Sequence, residues 1–449
     1  MQTTASRAAP WRQILPLALL IYAAVLLPPE AQFEFAEANF PIYRIFILAM
    51  IPMIIGRLVS SEIHAGLVDW LLFLMSAWMI FSFVHAYGLG TGVVRGGGVV
   101  IDTAGAYLIA RVSIDGTTAL RRLLIVIAPG LMIAGLTMLL ESILLRPIVR
   151  PAFAAVFGFA TSYEGGQAAG AFDFSRSQDV RLGLLRASGP FPHPILGGII
   201  LTSMLPLWLK GGIRSWPRLA GIASAALGLF SISSAAFLAL GLAIGLCTVD
   251  RFRRYFAKLG WPLITTGILL VLLALQLASK NGVVRVIARL TLDPQTAYYR
   301  IMTWTYGSRS IAEHPLYGIG FNVYKRAAGM TSSIDAHFLL LGVRNGLLVP
   351  ALLLGALLLT MIRLGLRSSR IGGADGNLFV ALNFTLVIVL VSALTVTLFG
   401  SSNIWFMALI GIAASLVSGR VTAQAPLAAM WRPIQPVASQ AGLRAPVPR

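Results

Sequence analysis

Long apolar stretches alternate with short polar ones along almost the whole chain. A membrane helix needs about 20 predominantly apolar residues. Runs of this kind fall near 13–28, 42–56, 66–84, 97–111, 123–140, 194–209, 218–232, 234–249, 261–279, 336–362, 377–398 and 403–419. The pattern predicts an all-α polytopic membrane protein of about twelve transmembrane helices. The first run, Ile14 to Leu27, ends in Pro28 and Pro29 without a small-residue cleavage site, so it reads as a retained span. Two polar interruptions are long, about 141–193 and about 280–335. Residues 1–420 read as a single transmembrane domain. Residues 421–449 are rich in Ala, Pro, Gln and Arg and have too little apolar surface to offset chain entropy, so a disordered tail is expected there.

Basic residues sort by loop. Arg57, then Arg111, Arg121 and Arg122, then Lys210, Arg214 and Arg218 mark one side of the pattern. Arg251, Arg253, Arg254 and Lys258 continue it, followed by Arg363, Arg367 and Arg370. The opposite short loops hold almost none. The first carries Glu30, Glu34 and Glu37, and the turns at Ser231–Ser234 and Gly400–Asn403 are uncharged. The positive-inside rule makes the basic set cytoplasmic and puts both termini inside, which requires an even number of spans. Both long loops then fall outside, and both are basic. Arg146, Arg150, Arg176, Arg181 and Arg186 lie in the first; Lys280, Arg285, Arg289, Arg300, Arg309, Lys325 and Arg326 lie in the second. Long loops escape the positive-inside bias, so this charge needs another cause, and an anionic substrate is the natural one.

Composition sharpens the picture. Hydrophobic residues make up 57% of the 449 and charged ones 11%, with mean hydropathy +0.82. Soluble chains carry about 25% charge, so lipid is the solvent for most of this one. The formal net charge is +19, from 35 Lys+Arg against 16 Asp+Glu. No soluble basic face is visible, so nucleic acid is not an expected partner; anionic membrane lipids and phosphate are. The lone Cys247 excludes an internal disulfide and a cysteine-based metal site. The short cytoplasmic loops hold no glycine phosphate loop, dinucleotide fingerprint or acidic metal cluster, so neither metal nor cofactor is expected.

Candidate chemistry gathers between Arg300 and Gly346. His337 follows Asp335-Ala336 and precedes an apolar run, which puts it at the first turn of a membrane helix. A helix N-terminus disfavours imidazolium, and a neutral ring there can act as a general base. The plainer alternative is an interfacial histidine on a helix capped by Asp335. Tyr298 to Ile311 reads as an amphipathic helix on which Arg300 and Trp304, four apart, share a face. Arg309, nine residues on from Arg300, is out of phase with it. A guanidinium fork suits a pyrophosphate, although basic and aromatic residues also anchor helices to headgroups. Arg186 stands before Gly189, Pro190, Pro192 and Pro194, where prolines enforce an extended entry to the next span. His193, between two prolines, reads as structural.

These segments carry a resemblance. The turn Glu313-His314-Pro315-Leu316-Tyr317-Gly318-Ile319-Gly320, then His337, then Gly342 and Gly346, resembles the O-antigen ligase/polymerase family. The Arg186–Pro194 entry and the Arg300 and Trp304 helix are similar to that family too, over about residues 180–360. The resemblance implies a GT-C-type membrane glycosyltransferase of the bacterial inner membrane with a periplasmic site. It implies that His337 activates an acceptor hydroxyl, that arginines hold the leaving pyrophosphate of an undecaprenyl-diphosphate-linked oligosaccharide, and that no metal takes part. A growing polysaccharide acceptor, a chain-length regulator and a flippase are the partners it implies. Two positions depart from the family. Ser234 stands where an arginine is common, which leaves Arg186 to supply that charge, and Phe338 follows the histidine in place of a small polar residue. Both favour a repeat-unit polymerase of an exopolysaccharide, capsule or O-antigen over a ligase acting on a lipid A core. A transporter of lipid-linked sugar is the alternative of another class, but the span centres are nearly uncharged and charge collects at the rim.

Overall fold

The computed structural model describes residues 10–35, 38–60, 65–158, 180–253, 294–330 and 333–418, with the isolated positions 270 and 274. The expected span at 261–279, those two positions aside, and the tail 421–449 lie outside the described residues. The rest is helical almost throughout. In chain order come α1 (Pro10–Leu26), α2 (Ile42–Ala49), α3 (Ile51–Val59), α4 (Leu67–Tyr87), α5 (Leu89–Val100), α6 (Ala106–Ser113), α7 (Thr117–Leu144) and α8 (Val149–Phe157). They are followed by α9 (Pro194–Ser203), α10 (Leu205–Lys210), α11 (Ser215–Leu227), α12 (Ser234–Arg253), α13 (Pro294–Glu313), α14 (His337–Asn345), α15 (Leu348–Ile371), α16 (Gly373–Ala393) and α17 (Ser401–Ser418). Two short antiparallel hairpins complete the described elements, β1 (Gln32–Phe35) with β2 (Ala38–Pro41) and β3 (Val180–Arg181) with β4 (Leu184–Leu185).

Eight helices among the described residues are long and apolar enough to cross a membrane, so the chain is an all-α membrane protein. They are Ile42–Val59, Leu67–Tyr87, Leu89–Ser113, Thr117–Leu144, Ser234–Arg253, Leu348–Ile371, Gly373–Ala393 and Ser401–Ser418. The apolar runs at 13–28 and 194–209 form shorter helices, the second broken at Met204. The run at 218–232 gives the 13-residue α11 and then a 3-10 turn at Gly228–Ser231. The run at 336–362 is not one helix: Gly346, at φ +80°, separates α14 from α15.

Helices α16 and α17 are the most enclosed of the spans. Helix α17 packs against α6 and α15, α7 against α11 and α1, and α4 against α5 and α15. In lipid no hydrophobic force drives such packing, so close van der Waals contact must supply it. Gly221 lets α11 lie against the Trp208 ring, and Gly411 lets α17 approach Ala110.

Arginines at one end of the helices act as staples. Arg121 pairs with Asp375 at 2.7 Å and donates to the carbonyl of Gly211 at 2.9 Å. Arg57 donates to Val112 O and Arg367 to Val417 O, both at 2.5 Å. Terminal carbonyls of helices lack partners within the helix, and guanidinium groups supply them. The spans are nearly, but not wholly, free of charge. Asp102 lies within Leu89–Ser113, 3% exposed, in a π-helical turn over Ile101–Gly105. Both its oxygens accept from Arg44, at 2.9 and 2.7 Å. A charge so deep persists only with its counter-charge in place.

Candidate active site

His337 is the first residue of α14 and only 5% exposed. Its ring lies edge-on to Phe406 of α17, with centroids 5.9 Å apart. The Thr397 hydroxyl donates to the carbonyl of Ile334, which fixes the segment leading into the helix. The N-cap is Ala336, which offers no side-chain bond, so Asp335 does not cap α14. The Asp335 carboxylate accepts instead from the Ser333 hydroxyl, at 3.2 Å. Burial, reinforced by the Arg344 charge, pulls the His337 imidazole down to about 4. The ring is therefore neutral at pH 7, chiefly through burial rather than through the helix terminus. Its Nδ1 is buried without a hydrogen-bond partner.

Helix α13 presents Arg300, Thr303, Gly307 and Ser310 as its buried face, at the three-and-four spacing of one helical side. Gly307 meets Leu339 of α14, and Gly342 of α14 meets Ile311, so the two helices touch through glycines on both sides. A Cβ on either glycine would come within 2.8 Å of its neighbour. Arg309 is exposed and lies over the Tyr306 ring at 5.4 Å, away from this face. Trp304 is half-buried, and its Nε1 is buried without a partner.

Among the described residues the fully buried arginines are Arg44, Arg111, Arg121, Arg150 and Arg300. The first four each hold a carboxylate, from Asp102, Asp69, Asp375 and Glu30. Arg300, 7% exposed, has no carboxylate within ion-pair distance among the described residues, and its Nε lacks a hydrogen-bond partner there. Burial lowers its pKa, Asp335 works against that, and Arg186 adds to it. The structure thus brings Asp335 and Arg186 each within electrostatic reach of Arg300. The Tyr324 hydroxyl, also buried without a partner, is within reach of Asp335 as well. Isolated buried donors of this kind are costly, and their convergence marks a place for a polar ligand.

The backbone around Arg186 is tied down on both sides. Leu185 O accepts from the Ser142 hydroxyl at 2.8 Å, and Ala187 N–H donates to Phe230 O at 3.2 Å. Gly189 N–H reaches the Glu141 carboxylate at 2.7 Å. The segment bearing Arg186, just after β4, therefore bonds to the turn that leads into Ser234, the first residue of α12. His193 caps α9, its Nδ1 accepting from Ile195 N–H at 3.2 Å. Not every charge in the two long basic loops is available to a ligand: Arg150 is held by Glu30 at 2.5 Å and donates to Pro192 O at 3.3 Å.

The two glycine motifs dock on each other. Ile319 N–H and Gly320 N–H donate to Val343 O and Arg344 O, each at 2.9 Å, and Leu347 N–H donates to Pro315 O at 2.8 Å. A Cβ on Gly318 would overlap the Arg344 carbonyl, and one on Gly346 the Leu316 carbonyl oxygen. Gly318, Gly320 and Gly346 all have positive φ. Gly346→Ala should therefore cost roughly 1–3 kcal/mol in overpacking, beyond the strain of its φ. A fall in melting temperature of the detergent-solubilised protein would show this, and an unchanged melt would count against the docking.

Sequence reasoning missed Arg344. It lies seven residues after His337, two turns along the same face of α14, and that spacing was the available signal. Its guanidinium sits over the Phe321 ring at 4.7 Å.

Among the described residues no three His, Cys, Asp or Glu side chains gather as a metal would require. No protein-family model matches this chain, and no curated protein matches it either.

Proposed function

We propose that this protein is a membrane glycosyltransferase that polymerises undecaprenyl-diphosphate-linked oligosaccharide repeats. The observation that carries the reading is Arg300, a buried cation without a counter-ion among the described residues, within electrostatic reach of Arg186 and of Asp335, which stands two residues before the neutral, buried His337. A diphosphate is the ligand a pair of guanidinium forks fits, and burial strengthens the contact. In the step, His337 takes the proton of an acceptor hydroxyl. The acceptor oxygen bonds to the anomeric carbon of the donor sugar. The carbon–oxygen bond to the diphosphate breaks, and its electron pair leaves with the lipid diphosphate. Arg300 and Arg186 stabilise the charge that develops there, which is where fixed cations lower a barrier most. Asp335 and Trp304 orient Arg300.

The same reading assigns about twelve spans in a GT-C-like arrangement, both termini in the cytoplasm, and His337 on the periplasmic face of the bacterial inner membrane. A flippase supplies the lipid-linked repeat, and a chain-length regulator is the expected partner. In the native host, Arg300→Gln should lower polymer formation by about 10²–10³-fold at normal membrane levels, with accumulation of the lipid-linked single repeat. Arg309→Gln, on the exposed side of the same helix, should leave polymer intact. Wild-type polymer from the Arg300 variant would overturn the assignment. Polymer that forms but stays unattached to its acceptor would replace the polymerase with a ligase.

A further inference from the structure

Arg344 is a second cation without a counter-ion, and it does not belong to the Arg300 cluster. The charges acting on Arg300 are Asp335 and Arg186, whereas the one acting on Arg344 is the Tyr87 phenol. Arg300 lies on the buried face of α13, whereas the Arg344 guanidinium lies over the Phe321 ring, so the two sit in different surroundings. Arg344 acts on the His337 imidazole from two turns beyond, whereas Arg300 is within electrostatic reach of Asp335, two residues before the histidine.

The guanidinium of Arg344 is placed with care. Its carbonyl is fixed by Gly320 N–H, Gly318 lets the loop backbone close over it, and Phe321 lies under its fork. The cation–π contact holds this fork over Phe321, and Arg344 is the charge that acts on the His337 imidazole. A cation–π contact does not neutralise a charge, and among the described residues no carboxylate lies within ion-pair distance of it. A half-buried, pre-positioned guanidinium without a counter-ion is an anion receptor.

We propose that Arg344 binds an anionic group of the acceptor glycan, a sugar carboxylate or a sugar phosphate, in a subsite separate from that of the donor diphosphate. This rests on the glycosyl-transfer reading, which needs two substrates on either side of one base. It makes the polymer an acidic one.

The test uses the purified full-length protein in nanodiscs, with inorganic pyrophosphate, methyl glucuronide and glucose 6-phosphate as probes in calorimetric titrations, each alone and with the others present. In the wild type, pyrophosphate and one acidic sugar should bind together without competing. Arg344→Gln should weaken that sugar about tenfold or more and leave pyrophosphate within about twofold. Arg300→Gln should do the reverse. Which sugar responds decides between carboxylate and phosphate. Mutual competition in the wild type would overturn the proposal even if the variant does not fold. So would loss of pyrophosphate binding in Arg344→Gln, which would make Arg344 a third diphosphate ligand, or no response of any probe. Unchanged pyrophosphate binding in Arg300→Gln would sink the donor assignment instead.

Discussion

His337→Ala is expected to abolish polymer while the protein accumulates normally in the membrane. Loss of a general base costs about 10²–10⁴-fold in rate. The alanine leaves a small void beside Phe406 but removes no ion pair, so the fold should survive. The pH dependence follows from the depressed imidazole. With a folded value of about 4, the neutral base is present through the whole neutral range. Transfer should therefore be flat from about pH 5 to 7 rather than falling near the ordinary histidine value of about 6.5. The stability sign is the usual one for a histidine buried in its neutral form. The unfolded chain binds the proton first, so acidification from about 6.5 toward 4 favours unfolding. A rate profile that breaks near 6.5, or wild-type polymer in the alanine variant, would remove His337 from the base role.

Much of this was legible in the chain. Apolar runs of membrane length overlap all eight long helices, because in lipid the backbone must satisfy itself and leaves little choice, but the runs at 97–111 and 336–362 miss the starts of Leu89–Ser113 and Leu348–Ile371 by two to three turns. The phase argument that separates Arg300 from Arg309 also stands in the structure, since one is buried and the other exposed. What could not be read was pairing across the chain. Asp335 looked like a cap because it precedes a helix by two residues, yet Ala336 occupies that place. The glycines of the His314–Gly320 turn and of the α14 terminus looked like separate motifs. Their shared reason, backbone against backbone, is visible only once 316 and 346 are in contact. Arg344 was overlooked because nothing local marks a cation as lacking a partner; that depends on which acids the fold brings to it.

The same limitation applies most sharply to Arg150, and it leads to a large stability effect. Its place in a long basic loop predicts that Arg150 is available to an anionic substrate. It is instead 1% exposed, with both Nε and Nη2 on one oxygen of Glu30, at 2.9 and 2.5 Å. The two residues are 120 positions apart, so the pair joins the first polar loop to the segment after α7. Arg150 also donates to Pro192 O, which ties in the entry to α9. Removing one partner leaves the other charge buried and unpaired. Arg150→Met should therefore lose about 3–5 kcal/mol, seen as a lower melting temperature and reduced membrane levels. Glu30→Met should lose a similar amount. The double replacement should recover most of it, because two apolar side chains of similar volume avoid both desolvation penalties. A double variant as weak as the sum of the singles would mean that the two positions act independently. If the single Arg150 variant were stable yet inactive, the guanidinium would belong to substrate binding after all. The structure argues against that outcome, because the fork is already occupied on both of its sides, by a carboxylate and by a carbonyl.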